Sequence, residues 1–232
     1  MERSVSTDSL KMPKDNEHTN FNKNGICLTT AYLAPVDYYA AMLKANSVWL
    51  EYNDTYVKQT YRNRCQIATA NGLMVLSIPI EKSDREKQLT RDVRISAHNL
   101  WQLQHWRTIE SAYNSSPFFE YYADDLISFY EKKWNFLWDF NFEIQQKILE
   151  LIDLQINIKF TDKFQKSFED TITDLRDYFH PKKINRSIDI EPYYQVFDQR
   201  FGFQPNISII DLLFNMGNET LLKIDSFSSI IS

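Results

Sequence analysis

The stretch ICLTTAYLAPVDYYAAMLKANSVWLEY, residues 26–52, reads as strand, loop, helix and strand in succession. Residues 26–30 are a short apolar run. Pro35 removes a backbone donor and biases Ala34 to extended geometry, so residues 32–35 form a loop. Asp37 then caps a helix that runs to about Ala45, with Tyr39, Met42 and Leu43 in its apolar stripe. Residues 47–52 are a second strand. Such an opening belongs to an α/β layer, although one unit does not by itself make a parallel sheet.

Outward from that unit, residues 61–69 and 73–80 read as a hairpin with Ala70, Asn71 and Gly72 at its turn, because Asn-Gly tolerates positive φ. The middle of the chain is helical. Residues 99–114 put Leu100, Trp101, Leu103, Trp106, Ile109, Ala112 and Tyr113 on a broad apolar face. Helices over 118–138 and 142–154 follow, with Asn141 as the cap between them. Residues 156–160 suggest one more strand, 161–191 are charged and irregular, and 191–223 are apolar again and expected to dock on the core. Residues 1–24 are polar, without apolar period, and read as a loose tail. The expected architecture is α/β: a small mixed sheet with the opening strand–loop–helix–strand unit, a hairpin and a helical C-terminal half, in one domain over 25–232.

Composition narrows the function classes. The 232 residues carry 26 Lys plus Arg against 31 Asp plus Glu, a formal net charge of −5. That balance argues against a nucleic-acid partner and a polybasic membrane binder. Glycine occurs only at 25, 72, 202 and 217. No G-x-G-x-x-G, P-loop or G-x-S-x-G is therefore present. The N-terminus has no apolar signal region and the longest apolar run, near 73–80, is too short to span a bilayer, so neither secretion nor membrane insertion is expected. Cys27 and Cys65 have no zinc spacing and read as reduced thiols of a cytoplasmic protein. No H-E-x-x-H and no carboxylate cluster point to a metal, and the sequence leaves the cofactor open.

The densest polar segment is Tyr56-Val57-Lys58-Gln59-Thr60-Tyr61-Arg62-Asn63-Arg64-Cys65. Strand alternation puts Arg62, Arg64 and Gln66 on one face and Tyr61, Asn63, Cys65 and Ile67 on the other. A cationic face needs an anion, either internal, with Glu51 and Asp54 as natural partners, or a phosphate or carboxylate ligand. Cys65 beside Arg64 is a candidate nucleophile or a small buried hydrophobe. His105, on the inward face of its helix, is a candidate base or a satisfied core histidine. Aromatic residues make up 15% of the chain, which suits stacking on a sugar or base.

These motifs resemble the WbqC-like protein family. The resemblance is carried by Ala31-Tyr32-Leu33-Ala34-Pro35, Glu51, the Tyr56–Cys65 segment, Leu76-Ser77-Ile78-Pro79-Ile80, Trp101-x-x-x-His105 and Ala112-Tyr113-x-x-Ser116-Pro117-Phe118-Phe119. Tyr194-Gln195-Val196-Phe197, Gly202-Phe203-x-Pro205-Asn206 and Ser208-Ile209-x-Asp211-Leu212-Leu213 look like its Bacteroidetes branch. Many members open with Gln-Pro-Tyr-Phe-x-Pro, where this chain has Thr30 and Ala31 but keeps Tyr32 and Pro35. Their acidic Tyr-Asp-Asp is replaced by Glu51-Tyr52-Asn53-Asp54. The resemblance implies surface-polysaccharide (O-antigen) biosynthesis, and acyl or aminoacyl transfer to an amino sugar fits it. Lys58, Arg62 and Arg64 are then expected to hold an anionic donor such as a sugar nucleotide or acyl donor. Tyr32, Tyr56, Gln59, Tyr61, Asn63, Asn206 and Asp211 complete the substrate site. Glu51, His105 and Cys65 are the catalytic candidates. The alternative is a non-catalytic module that binds a sugar nucleotide or a partner enzyme. The opening unit is also similar to Rossmann-like nucleotidyltransferases, but their two loop histidines are absent.

Overall fold

The computed structural model describes residues 25–83, 87–97, 100–168, 171–183 and 190–227. The expected tail over 1–24 and the helix start at Asn99 lie outside these residues.

The opening unit forms as its sequence indicates. Strand β1 (Gly25–Leu28) leads through the Pro35 loop into helix α1 (Val36–Lys44) and strand β2 (Val48–Leu50), which pairs parallel to β1. Two short strands complete the sheet. β5 (Ile158–Phe160) pairs parallel to β2, and β6 (Ile172–Asp174) pairs parallel to β1. The order is β5-β2-β1-β6. The chain thus steps outward from β1 to β2 and β5, then returns to the other side of β1. Such a reversal creates a crevice beyond the carboxyl ends of the strands. Ile26, Leu28, Val48 and Leu50 share one face and are buried, while on the other face Cys27 is buried and Trp49 half-buried.

The hairpin is a separate two-stranded sheet, β3 (Arg64–Thr69) and β4 (Gly72–Ser77). The Asn-Gly signal is met by a two-residue loop, Ala70–Asn71, with the positive φ of +97° at Gly72. Thr69 Oγ1 donates to the Gly72 carbonyl at 2.8 Å and closes the turn. β3 starts at Arg64, three residues later than the sequence suggests. Arg62 and Asn63 therefore lie in the preceding turn, outside the alternation, and both point inward.

Helices α2 (Trp101–Tyr113), α3 (Phe119–Glu131) and α4 (Leu137–Leu151) pack in sequence, with α2 also against β3. The expected helix over 118–138 is interrupted at 132–136, not at Asn141. Backbone bonds from Ile95 to Asn135 (3.0 Å) and from Leu137 to Val93 (2.9 Å) hold that segment extended. A tertiary tether of this kind overrides helical periodicity. Asn141 sits inside α4, fully buried, and its Nδ2 donates to the Arg62 carbonyl at 2.6 Å. The C-terminal apolar segment supplies α5 (Asp198–Phe201), α6 (Ile209–Met216) and α7 (Thr220–Ser226), the last two packing on α1. Gly217, at φ +57°, ends α6 against Phe118, whose ring carbon lies 2.5 Å from where a Cβ would stand.

Candidate functional site

The carboxyl ends of three of the parallel strands supply the first cluster of polar side chains. Glu51 follows β2, Thr161 follows β5 and Arg176 stands two residues past β6. They bind one another. Glu51 Oε1 accepts from Thr161 Oγ1 (2.6 Å) and from the Asn53 backbone N–H (2.8 Å), and Oε2 accepts from Arg176 Nη1 (2.8 Å). The Arg176 guanidinium also forks onto Asp174, with Nε to Oδ1 at 2.9 Å and Nη2 to Oδ2 at 2.5 Å. Phe164 and Phe168 flank it at 4.9 and 4.8 Å. Burial alone would raise the Asp174 carboxyl, but the Arg176 hydrogen bonds and charge outweigh it and hold it below its usual value. Glu51 is wholly enclosed. A carboxylate there depends on Arg176, because an unpaired buried charge is costly.

A second pair lies beside it. Asp54 Oδ2 accepts from Arg62 Nη2 (2.5 Å) and Nε (3.2 Å), both side chains being buried. Asp54 is thus the internal anion for Arg62, one of the two partners anticipated. The expected common face of Arg62 with Arg64 and Gln66 is not formed, because Arg62 precedes the strand. Asn63 is likewise internal, its Nδ2 bonded to the Ile78 carbonyl at 3.0 Å.

Arg64 differs from both. It is half-buried on β3, its Nε is shielded from solvent without a partner, and it forms no ion pair with an acid among the described residues. Tyr56 lies close enough for the Arg64 and Arg62 charges to draw its phenol down, although burial keeps it above its ordinary value. Lys58 and Gln59 are exposed at the tip of the same turn, Gln59 at φ +62°. Tyr61 is half-buried, and its carbonyl accepts the Tyr32 N–H at 2.8 Å.

His105, Cys65 and Tyr32 come together elsewhere, in the aromatic core between α2, α3 and α4. Tyr32 OH meets His105 Nδ1 at 3.0 Å and Tyr130 OH at 2.8 Å. Trp101 packs edge-on against His105 at 5.1 Å. Burial lowers the imidazole to about 4 against a partly compensating bond to the Ser77 backbone, so His105 is neutral near pH 7. Burial raises the Cys65 thiol well above its ordinary value, and the same holds for Cys27, pushed up to about 12. Arg64, on the opposite strand face, does not offset this for Cys65. Burial thus favours the neutral thiol at Cys65, and both polar positions of the His105 ring are engaged internally.

Asn206 and Asp211 are internal as well. Asn206 Oδ1 accepts the Asp37 backbone N–H at 3.0 Å, and Ile207 O accepts the Val36 N–H at 3.2 Å, so this segment caps α1. The expected cap, Asp37, lies in the first turn instead. Asp211, on α6, accepts from Tyr113 OH (2.9 Å), Tyr193 OH (2.7 Å) and Gln195 Nε2 (2.7 Å).

The sequence reading missed Arg176, Asp174 and Thr161. All three fall in or beside the segment that reads as charged and irregular. The only local signal is Asp174-x-Arg176 directly after a β-branched triplet, Ile172, Thr173 and the preceding Thr171.

The model of the WbqC-like protein family matches residues 30–183. The chain belongs to that family. The matched region contains the Glu51–Arg176 and Asp54–Arg62 pairs, Arg64 and His105, and ends before Asn206 and Asp211. A Mycobacterium tuberculosis protein, "Uncharacterized protein Rv1507c", is 27% identical over 188 residues, 71% of this chain and 81% of its own. No solved structure matches. Among the described residues, no helix of this WbqC-like protein is long and apolar enough to cross a membrane.

Proposed function

We propose that this WbqC-like protein is a cytoplasmic group-transfer enzyme of surface-polysaccharide biosynthesis. It seats an anionic activated donor on Arg64 and passes an acyl or aminoacyl group to the amine of an amino sugar. The observation that carries the reading is the contrast among the three inner guanidinium groups. Arg62 and Arg176 are neutralised by Asp54, Glu51 and Asp174, whereas Arg64 faces no acid among the described residues. A half-buried guanidinium without a carboxylate favours a phosphate or carboxylate ligand. Tyr56 lies beside it, within reach of its charge. In the transfer, the acceptor nitrogen attacks the donor carbonyl and the C–N bond forms. The bond from that carbonyl carbon to the donor's oxygen or sulfur breaks, and the departing group takes its electron pair. The proton released from nitrogen is assigned to Glu51, which must first open its bonds to Thr161 and the Asn53 N–H, since both of its oxygens are engaged within the closed crevice.

A second reading, a non-catalytic module that binds the same donor for a partner enzyme, is favoured by the full internal engagement of Glu51. One set of measurements tests both. Thermal shift of wild type and Arg64→Ala is recorded against sugar nucleotides, acyl-coenzyme A and aminoacyl-adenylate analogues. A ligand at a hundred times its Kd stabilises by about 2.7 kcal/mol, or roughly 5–10 °C for a chain of this size. The expected result is a shift in wild type that is lost in an Arg64→Ala protein of unchanged unliganded Tm. No shift with any donor, or an equal shift in the variant, refutes the Arg64 seat. With the donor identified, Glu51→Gln abolishes turnover in the first reading and leaves binding intact in both.

A further inference from the structure

The register of the hairpin places Arg64 at one end of an open face and a cavity at the other. Arg64, Gln66 and Ala68 alternate onto the same side of β3. Their cross-strand partners Ser77, Val75 and Leu73 share that side. The opposite side buries Cys65, Ile67 and Leu76 in the core and leaves Met74 exposed near the turn. On the open side, Leu73 and Val75 are 45% and 50% exposed, although both are large and apolar. Below Ala68 and Leu73 opens a cavity of about 170 Å³, walled by Phe197 and Phe201, with a mostly apolar lining to which Gln195 and Gln204 also contribute. Arg200 fixes that wall by donating from Nη1 to the Ala70 carbonyl at 2.7 Å. A Cβ added at Gly72 or Gly202, which also line the cavity, would meet nothing within 4 Å.

We propose that this face binds an extended anionic amphiphile, a single aliphatic chain whose phosphate or carboxylate head pairs with Arg64 and whose tail enters the cavity at Phe201. The inference rests on the reading of Arg64 as the donor's anion seat, and it narrows the donor to one bearing an aliphatic acyl chain. The dimensions agree. Four strand residues separate Arg64 from Ala68, about 13 Å. An extended chain of about ten carbons, with C–C bonds of ~1.5 Å, covers that span. A dry cavity of about 150 Å³ accommodates a benzene ring, so the one here has room for the end of such a chain. Leu73 and Val75 then form an apolar floor between head and tail, which accounts for two large side chains left open on a sheet face. Charge complementarity selects the head. A cationic or uncharged amphiphile of equal length would desolvate the Arg64 guanidinium without pairing it.

The test is calorimetric titration of the full chain with inorganic phosphate and with hexyl, octyl and decyl phosphate below their aggregation limits. Decylamine serves as the control. Wild type, Arg64→Ala, Phe201→Ala and Leu73→Ser are compared, each with its unliganded Tm recorded. The expected result is a Kd that tightens by about fourfold for each methylene entering the cavity. Phe201→Ala weakens decyl phosphate about tenfold and leaves inorganic phosphate unchanged, whereas Arg64→Ala weakens every phosphate. Decylamine does not bind. If all phosphates bind through Arg64 with one Kd whatever their chain, the anion seat stands and the amphiphile is refuted. If decyl phosphate binds equally well to Arg64→Ala, or if decylamine matches it, the head assignment fails and the inference with it. Cosedimentation with phosphatidylglycerol vesicles, in place of binding to the single-chain phosphates, also overturns it.

Discussion

Asp211→Asn isolates the cost of one fully enclosed carboxylate. Asp211 is 1% exposed. Burial raises its carboxyl from 3.8 to about 6, against the opposing hydrogen bonds from Tyr193, Gln195 and Tyr113. A raised carboxyl in the folded state binds its proton more tightly than in the unfolded chain. The resulting stability is fully present below pH 3.8 and is lost as the pH rises through about 6. With those two values, folding loses about 2 kcal/mol from this group between pH 4.5 and 7. Asparagine removes the titration. Its Oδ1 accepts from Tyr193 and Gln195, and its Nδ2 faces the Tyr113 hydroxyl oxygen, whose proton loses its acceptor at a cost that does not vary with pH. Urea unfolding of wild type and variant is measured at pH 4.5, 5.5, 6.5 and 7. Groups common to both proteins cancel in the difference. The expected outcome is that the stability of wild type minus that of the variant falls by about 2 kcal/mol across the range. Parallel curves, within about 0.5 kcal/mol, would mean that the carboxylate is ionised at ordinary pH without penalty, and the account of the Tyr113–Tyr193–Gln195 cradle as a desolvated site would be wrong.

Two further outcomes follow from the buried charges and thiols. Arg62→Ala leaves Asp54 enclosed without its cation and lowers unfolding free energy by about 3–5 kcal/mol, while Arg62→Met combined with Asp54→Leu recovers most of it; a loss below about 1 kcal/mol in the single variant would show that the pair is solvated. Cys27 and Cys65 are both buried with raised thiols, so neither is expected to react with a disulfide reagent at pH 8 until the chain unfolds, and prompt release by one thiol in the folded protein contradicts that.

The opening of the fold was legible because its signals are local. Pro35 marks the loop, the Tyr39, Met42 and Leu43 stripe marks α1, and Asn71-Gly72 marks the hairpin. The family was legible from motifs spread along the chain. What escaped is what distant contacts decide. β6 is three residues long and acquires its place by pairing with β1, 147 positions earlier in sequence. The break at 132–136 interrupts a segment that reads as continuous helix, because bonds to 93–95 hold it extended. At the candidate site, Asp54 could be paired with Arg62 from proximity in sequence. The cation of Glu51 could not, since Arg176 lies 125 residues away. Alternation correctly separated Arg64 and Gln66 from Cys65 and Ile67. It failed at Arg62, where a turn and not a strand sets the direction of the side chain.

The distribution of internal bonds explains why the hairpin, and not the sheet, carries the open cation. A doubly wound sheet ordinarily meets its ligand at two adjoining places, the turn between the first strand and helix and the crevice where strand order reverses. In a glycine-rich turn the backbone N–H groups at the helix start reach a phosphate. Here the turn over 29–35 has no glycine, and Leu33 itself takes φ +41°. The start of α1 is filled from within: Asn206 Oδ1 and Ile207 O occupy its first N–H groups, and Ser208 Oγ donates to the Leu33 carbonyl at 2.9 Å. The crevice is closed by Arg176 between Glu51 and Asp174. Both places are thus saturated by the chain's own groups. The same segment reaches further, because the Ser208 N–H donates to the Gln66 carbonyl at 2.8 Å and ties the free edge of β3 to the start of α1. Residues 206–208 therefore do two things at once. They remove the helix terminus as an anion site, and they fix the strand from which Arg64 projects, so the one inner guanidinium that faces no acid among the described residues is also held on a rigid element.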